Sequence, residues 1–527
     1  MNKLRVCFIV GFLALGSVVK AQTPGALIDV QHYGFNIRLS DSTNLIKGKA
    51  DITVLFLKKA TSFRVNLVKK NNTGKGMLVS HVLTNGHEIQ FKQDSDGVNI
   101  YTKAIQNQLQ RYTLIYEGIP ADGLIISTNK FGHRTFFGDN WPNRAHNWIP
   151  CVDNPADKAT LDFTVTAPDH YQVIANGLKI SEAALPGKLK TTHWAETAQL
   201  PTKVMVIGVA DFAVDHPKDV NNIPVYTYVF PENAMVGFRS YAIAAEILPF
   251  YIKNIGPYAY KKLANVQSKT IFGGMENASA IFYFENSVGD KGIEELMAHE
   301  IAHQWFGDAV SEKDFHHLWL SEGFATYLTN YYLESKYGQD TLKKRMADQR
   351  IKVLKFEKIR VTPVVDTTVI TDYMPLLNPN SYEKGGWTLH MLRRKLGDAV
   401  FWKGISTYFD KYQGSNANTT DFRMVMEQVS GQKLDSFFKQ WLKTSGHPDL
   451  AVNWKYDPKT QMVDVQVDQK QSNLYTFPLE VSVDGQVHSI AVTGQSAMAH
   501  FLAGKKLPVI VVDPNVNLLA TFSVSAE

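Results

Sequence analysis

The sequence predicts a multidomain α+β protein in which a mostly helical middle is flanked by two β regions. Three observations predict this. To about residue 230, apolar residues alternate or run in short segments bounded by turn signals. They then recur at helical spacing to about residue 446, and beyond that the short strand-like segments return. With 527 residues, 44% hydrophobic and 20% charged, the composition is ordinary globular and argues against disorder or a membrane channel. A chain of this length suggests about three domains. The expected divisions are 1–21, a signal peptide; 22–220, an N-terminal antiparallel β domain; 221–446, a mostly helical domain; and 447–527, a β-sandwich.

The first element has the form of a secretory signal. Lys3 and Arg5 precede an apolar run over 6–19, too short to span a bilayer comfortably, and Val19-Lys20-Ala21 offers cleavage before Gln22. The expectation is an exported chain, periplasmic or extracellular, with no stable membrane insertion of its mature form. The formal charge of +5 includes Lys3, Arg5 and Lys20; without them 52 basic residues stand against 50 acidic, a balance of +2. That leaves no basic field for a nucleic acid partner. Of the two cysteines, Cys7 belongs to the signal, so Cys151 remains alone as a buried packing residue. No internal disulfide and no two-Cys zinc site can then form.

In the first β region the strand-like segments include 51–57 (DITVLFL), 112–116 (YTLIY), 160–166 (TLDFTVT) and 204–209 (VMVIGV). Asn71-Asn72, Asn85-Gly86 and Asn176-Gly177 mark turns between them. The period changes near Pro231. Residues 237–255 carry apolar side chains at helical spacing and stop before Gly256-Pro257. Further helices are expected at about 293–305, 322–337, 382–396, 420–429 and 434–444. After Gly446-His447-Pro448, short strands at 449–454, 463–467, 477–483, 488–492 and 509–512 suggest the closing sandwich.

The chemistry centres on His299-Glu300-Ile301-Ala302-His303. On a helix, positions i and i+4 share a face, so both imidazoles can reach one metal, and Glu300 lies beside them as a general base. A catalytic zinc takes three protein ligands. In Trp319-Leu320-Ser321-Glu322-Gly323, Glu322 stands nineteen positions beyond His303 at the start of the next helix, and antiparallel packing of the two helices would deliver it as the third ligand. One zinc per chain is therefore expected, on His299, His303 and Glu322. His316-His317 lies outside this spacing, with no placed acid partner, and is assigned to a loop.

Four blocks carry a family resemblance: Gly273-Gly274-Met275-Glu276-Asn277, 299–308 (HEIAHQWFGD), 318–327 (LWLSEGFATY) and 381–385 (SYEKG). The stretch from Pro150 to Pro155, with Lys158, adds a fifth. In this combination and order, from about residue 28 to the end, the chain resembles the aminopeptidase N family of zinc metallopeptidases. These are gluzincins, to which leukotriene-hydrolase-type enzymes also belong. The resemblance implies a saddle-shaped β domain, a thermolysin-like catalytic domain and a β-sandwich. It also implies a three-domain form lacking the helical C-terminal domain of many members, with a more open site. It implies that Glu276 binds the free α-amine of a peptide substrate and Gly273 and Gly274 line the channel, within a substrate segment 273–277 that includes Met275 and Asn277. It further implies that Tyr382 donates its hydroxyl to the oxyanion. Removal of single N-terminal residues from peptides is the implied activity. A broader exopeptidase and a catalytically inactive peptide-binding relative are the alternatives.

Three departures from the family pattern stand out. Gly274 replaces the usual Ala, which adds backbone freedom, and Ala278 stands where many relatives carry Trp. Where relatives place a Gln or Glu that helps hold the amine, this chain has Trp141, which leaves Asp139 or Asn140 as candidate substitutes.

Overall fold

The computed structural model describes residues 26–504 and 506–526. The apolar run at 6–19, Cys7 and the expected cleavage before Gln22 lie outside the described residues. The first β region is built on an eight-stranded sheet. Its order from one edge is Leu178–Leu185, Leu189–Pro201, Lys158–Pro168, Ile28–Arg38, Ile46–Phe56, Leu109–Ile119, Gly76–Thr84 and His87–Glu88. Alternation sets its faces: Leu161, Phe163, Val165 and Ala167 are buried while the residues between them are partly exposed. Asn85 and Gly86, at φ 51° and 79°, form the two-residue turn between the last two strands, the conformation that such hairpins require.

The expected all-antiparallel pattern fails at one seam. Ile28–Arg38 runs parallel to Lys158–Pro168, with His32 opposite Thr160 and Arg38 opposite Thr166. Parallel neighbours need a long crossover, and here most of the region's other strands lie in the chain between them. Cys151 is fully buried and unbonded, as expected of a packing residue.

A second sheet, with parallel central strands Ile223–Val229, Leu263–Ser268 and Ala280–Phe284, joins the β region to the helices. Every residue of Leu263–Ser268 is buried, as befits a strand covered on both faces. Its alternate residues enter two cores. Leu263, Ile281 and Tyr283 pack with the helices, whereas Ala264, Val266, Ala280 and Phe282 pack with the first β region. Gly274–Met275 pairs antiparallel with Ala280–Phe284 at the edge of this sheet.

The helices are more broken and more numerous than the spacing predicts. The single helix expected at 237–255 is two, Ala234–Tyr241 and Ala244–Asn254, because the amides of Ala245 and Glu246 bond three residues back rather than four. Helices Gln339–Glu357 and Asp398–Tyr412 were not predicted. In the closing region the strands Asp449–Asp457, Met462–Gln469, Ser496–Leu502 and Thr521–Ala526 form one sheet, and Phe477–Val483, Gln486–Val492 and Ile510–Val512 a second. Val463, Leu479 and Val481 share one core with Phe438 and Trp441 of the helices, so this region is continuous with the helical one. Among the described residues, no helix is long and apolar enough to cross a membrane.

Candidate metal centre and active site

His299 and His303 lie on one face of helix Ile293–His303, and Glu322 lies in the first turn of helix Trp319–Tyr337. That second helix begins one turn before the predicted start. The two helices pack together, and three side-chain atoms converge. His299 Nε2 is 3.1 Å from His303 Nε2, and Glu322 Oε2 is 3.3 Å from each. A tetrahedral ion with bonds of about 2.0–2.1 Å holds its ligands about 3.3–3.4 Å apart. The spacing therefore fits a zinc ion without rearrangement. Electrostatics fit as well. Burial would lower the His303 imidazole, yet Glu322 and then Glu276 drive it up to about 10. Burial would raise the Glu322 carboxyl, yet His303 and His299 hold it below the usual range. The cavity is rich in carboxylates and demands a cation. His303 Nδ1 donates to the Phe306 carbonyl at 3.1 Å and lies 3.0 Å from Ser321 Oγ. That contact leaves the Nε2 lone pair free and fixes the ring.

Glu300 is buried beside the ligands. Desolvation raises its carboxyl well above the ordinary value, with Glu276 and Glu322 adding to the rise against His303. Its carboxylate nests against Gly274: a Cβ there would lie 2.3 Å from Glu300 Oε1. Gly274 is thus room for the Glu300 side chain, not only the added backbone freedom expected from the sequence. Glu276 is 5% exposed, and its Oε1 has no partner among the described residues.

Tyr382 reaches the cavity from a π-helical turn, Asn380–Lys384, that precedes helix Gly385–Leu396. The expected helix start at 382 is therefore a wider turn, the kind that often marks functional positions. Lys384, fully buried, fastens this turn to Glu357 Oε1 at 2.7 Å and to the Gly446 carbonyl at 2.6 Å. Gly323 and Gly385 allow the close crossing: a Cβ on Gly323 would meet Gly385 Cα at 2.8 Å. The Tyr382 ring stacks on His299 at 6.0 Å and 12°. Burial, then Glu322, Glu276 and Glu300, keep its hydroxyl protonated by raising it well above its usual value.

These groups line one cavity of about 270 Å³. Of the segment 273–277, Gly273, Gly274, Met275 and Glu276 line it, but Asn277 does not; it is fully buried behind the wall. Trp141, Phe272, Leu296 and Leu377 complete the wall. Neither candidate substitute at 139–140 reaches it. Asp139 accepts from Arg144, Thr270 and the Ile271 amide, and Asn140 binds the Thr202 and Met205 carbonyls and the Trp148 indole. His316 and His317 stay outside the cluster. Contrary to expectation they share an acid partner: His316 Nδ1 lies 2.9 Å and His317 Nε2 3.8 Å from the Asp314 carboxylate, and His317 Nδ1 also meets Thr419 Oγ1 at 2.8 Å.

The sequence reading missed the support behind the site. Gln304 Nε2 donates to the Glu276 carbonyl at 2.7 Å and to Asp308 at 2.8 Å, while its Oε1 accepts from the Ser279 amide at 2.8 Å. One side chain thus ties the metal helix to the segment bearing Glu276. The first β region adds two buried lysines. Lys158 donates to the carbonyls of Asp308 and Ala309 at 2.8 and 2.9 Å, and burial pushes it down to about 7. Lys203 pairs with Glu312 at 2.6 Å. Lys158 was noticed only within the family stretch. Gln304 lies within the family-like block 299–308, but nothing in that block gives it a role.

Comparison with known proteins agrees with this architecture. Residues 30–204 match the peptidase M1 N-terminal domain, and residues 239–441 match the peptidase family M1 domain. A leucyl aminopeptidase of Saccharolobus solfataricus is 26% identical over 439 residues, covering 78% of this chain and 54% of that protein. Aminopeptidase M1-C of Oryza sativa is 29% identical over 327 residues, covering 59% of this chain and 37% of that protein. The chain thus spans about half the length, or less, of these curated relatives. Aminopeptidase A of Legionella pneumophila, solved in complex with aspartic acid, superposes with a TM-score of 0.82 at 17% identity, over 94% of this chain and 60% of that one. That likeness speaks to the fold.

Proposed function

The chain belongs to peptidase family M1, the aminopeptidase N family of gluzincins, and on that premise we propose that it is a zinc-dependent aminopeptidase. One observation carries the proposal: a metal-spaced His299, His303 and Glu322 share a cavity with a buried acid at Glu300, a second at Glu276 and a protonated phenol at Tyr382. Zinc held there supplies Lewis acidity and can lower the pKa of a water to about 7.

The chain's own residues do the rest. Glu276 accepts the α-ammonium of a peptide through charge-assisted hydrogen bonds, in a segment that Gln304 holds rigid. This sets the register so that one residue leaves the N-terminus. Glu300 takes a proton from the attacking water and returns it to the departing amine. The Tyr382 hydroxyl donates to the oxyanion as the carbonyl carbon becomes tetrahedral. The reading assigns peptides as substrates and one zinc per chain. The signal pattern over 1–21 supports export, which the N-terminal sequence of secreted or periplasmic protein would test, with Gln22 as the expected first residue.

The decisive experiment is a panel of aminoacyl reporters, each with a free and an acetylated N-terminus, run on metal-loaded and chelated protein. Free-amine substrates should turn over only with metal. Equal turnover of blocked substrates would reduce the reading to a general metallopeptidase, and turnover unchanged by chelation would refute it.

A further inference from the structure

We propose that Trp141 determines which N-terminal side chains this site accepts, and that the preferred substrates are peptides beginning with a bulky apolar residue; this rests on the aminopeptidase reading of the same cavity. Trp141 is 2% exposed and lines the cavity, yet its Nε1 is buried without a partner among the described residues. It therefore offers the cavity no polar side-chain atom. Its ring is fixed by edge contacts to Phe272, at 6.2 Å and 90°, and to Phe315, at 6.2 Å and 73°.

The rest of the wall has the same character. Leu296 sits one turn before Glu300 on the metal helix, where side chains four apart share a face. Phe272 and Leu377 stand beside it in the cavity wall. The polar residues that precede Trp141 are turned away and fully engaged: Asp139 with Arg144, Thr270 and Ile271, and Asn140 with Thr202, Met205 and Trp148. All the acidic groups of the cavity belong to Glu276, Glu300 and Glu322. A substrate with its amine on Glu276 and its carbonyl near the metal ligands must lay its first side chain against the remaining surface, which is carbon. An aliphatic or aromatic side chain gains by leaving water there. Glycine gains nothing, and an N-terminal Asp or Glu brings a charge towards three carboxylates.

The test compares leucyl, phenylalanyl, glycyl and aspartyl reporters on zinc-loaded wild type, Trp141→Phe, Trp141→Ala and Leu377→Ala. Binding of leucinamide and glycinamide to the same proteins is measured by calorimetry. The wild type should favour leucyl over glycyl by about tenfold or more in kcat/KM, the scale that one side chain in a hydrophobic pocket commands, with aspartyl lowest. Trp141→Phe should keep that order, and Trp141→Ala should compress the leucyl-to-glycyl ratio about tenfold. If Trp141→Ala does not fold, Leu377→Ala, on a partly exposed residue, should compress the same ratio. A wild type that favours glycyl or aspartyl overturns the proposal, as does an unchanged order in the folded alanine variants. Absence of turnover on every free-amine reporter would sink the aminopeptidase reading instead. The leucinamide-to-glycinamide binding ratio then still decides the wall: a wild-type ratio near one overturns it.

Discussion

Replacing Tyr382 by Phe removes one oxygen from the cavity and leaves almost everything else in place. The ring stacked on His299 at 6.0 Å stays, and so do the Lys384 anchors that hold its turn. The hydroxyl is protonated at neutral pH, because burial and the Glu322, Glu276 and Glu300 carboxylates raise it. It can therefore act only as a donor toward developing negative charge. Loss of one such donor in a shielded site costs about 10²–10³ in rate, or roughly 2.7–4 kcal/mol. Because the donor matters as the carbonyl becomes tetrahedral, kcat should fall while KM holds. The measurement is steady-state kinetics on metal-loaded variant and wild type, with metal content and melting temperature checked in parallel. A kcat within about threefold of wild type would refute the assignment. No other tyrosine is positioned to rescue it: the Tyr283 hydroxyl donates to Asn265 and that of Tyr373 to the Ile370 carbonyl, and neither lines the cavity.

Glu300→Gln should retain zinc by elemental analysis yet lose nearly all turnover; normal turnover by the loaded variant would disprove its role as base. Glu276→Ala should keep zinc but lose activity on free-amine peptides, about ten- to a hundredfold for a charge-assisted contact of roughly 1.5–3 kcal/mol, and the ratio of free to acetylated turnover should narrow. Gly323→Ala forces a Cβ to 2.8 Å from Gly385 Cα, where only backbone could give way; overpacking of this kind costs about 1–3 kcal/mol, visible as a lowered melting temperature. His390 is fully buried, with Nε2 3.1 Å from Asn517 Oδ1, and burial pushes it down to about 3. Unfolded histidine titrates near about 6.5, so between those values the unfolded state binds the extra proton and stability falls as pH falls. His390→Gln should flatten the decline in melting temperature between pH 6.5 and 4; an unchanged slope would remove His390 as its source.

The candidate metal centre was legible because its information is local. A four-residue spacing on one helix and an acid at the start of the next need only the two helices to pack. The fold class was legible for the same reason, from periods of two and of 3.6. What stayed hidden depends on contacts between distant segments. The parallel seam joins Ile28–Arg38 to Lys158–Pro168, and nothing in either strand's alternation names its partner. Helix Gln339–Glu357 buries only Leu342, Met346, Gln349, Val353 and Glu357, so two of its five buried positions are polar and its apolar stripe is thin. The fates of Asp139 and Asn140 were open in the sequence because either could face the cavity; their partners at 202–205 and 270–271 turn both away.

The buried charges explain why the first β region and the helical region form one functional unit. Glu276, Glu300, Glu322, Asp308 and Glu312 are all buried around the metal helix and the loop that follows it. Uncompensated, such a group of acids would be too costly to bury. Burial and Glu276 already raise the Asp308 carboxyl well above its ordinary value, while Lys203 and Lys158 pull it back. Both lysines come from the first β region. Lys203 meets Glu312 directly, and Lys158 caps the carbonyls at 308–309 just past the metal helix. Among the described residues the cavity side of the cluster has no lysine or arginine, so its positive charge would fall to an ion held between His299, His303 and Glu322. Two lysines on one side, and a metal where the three ligands would hold one on the other, would thus balance the same set of carboxylates. Removing Lys203 should therefore lower stability and leave more uncompensated negative charge for the metal to meet, so a folded variant should hold zinc more tightly, although Lys203 does not line the cavity. Dialysis of Lys203→Met against a zinc buffer would read this as a raised affinity, and wild-type affinity in a folded variant would mean that the two sides are independent.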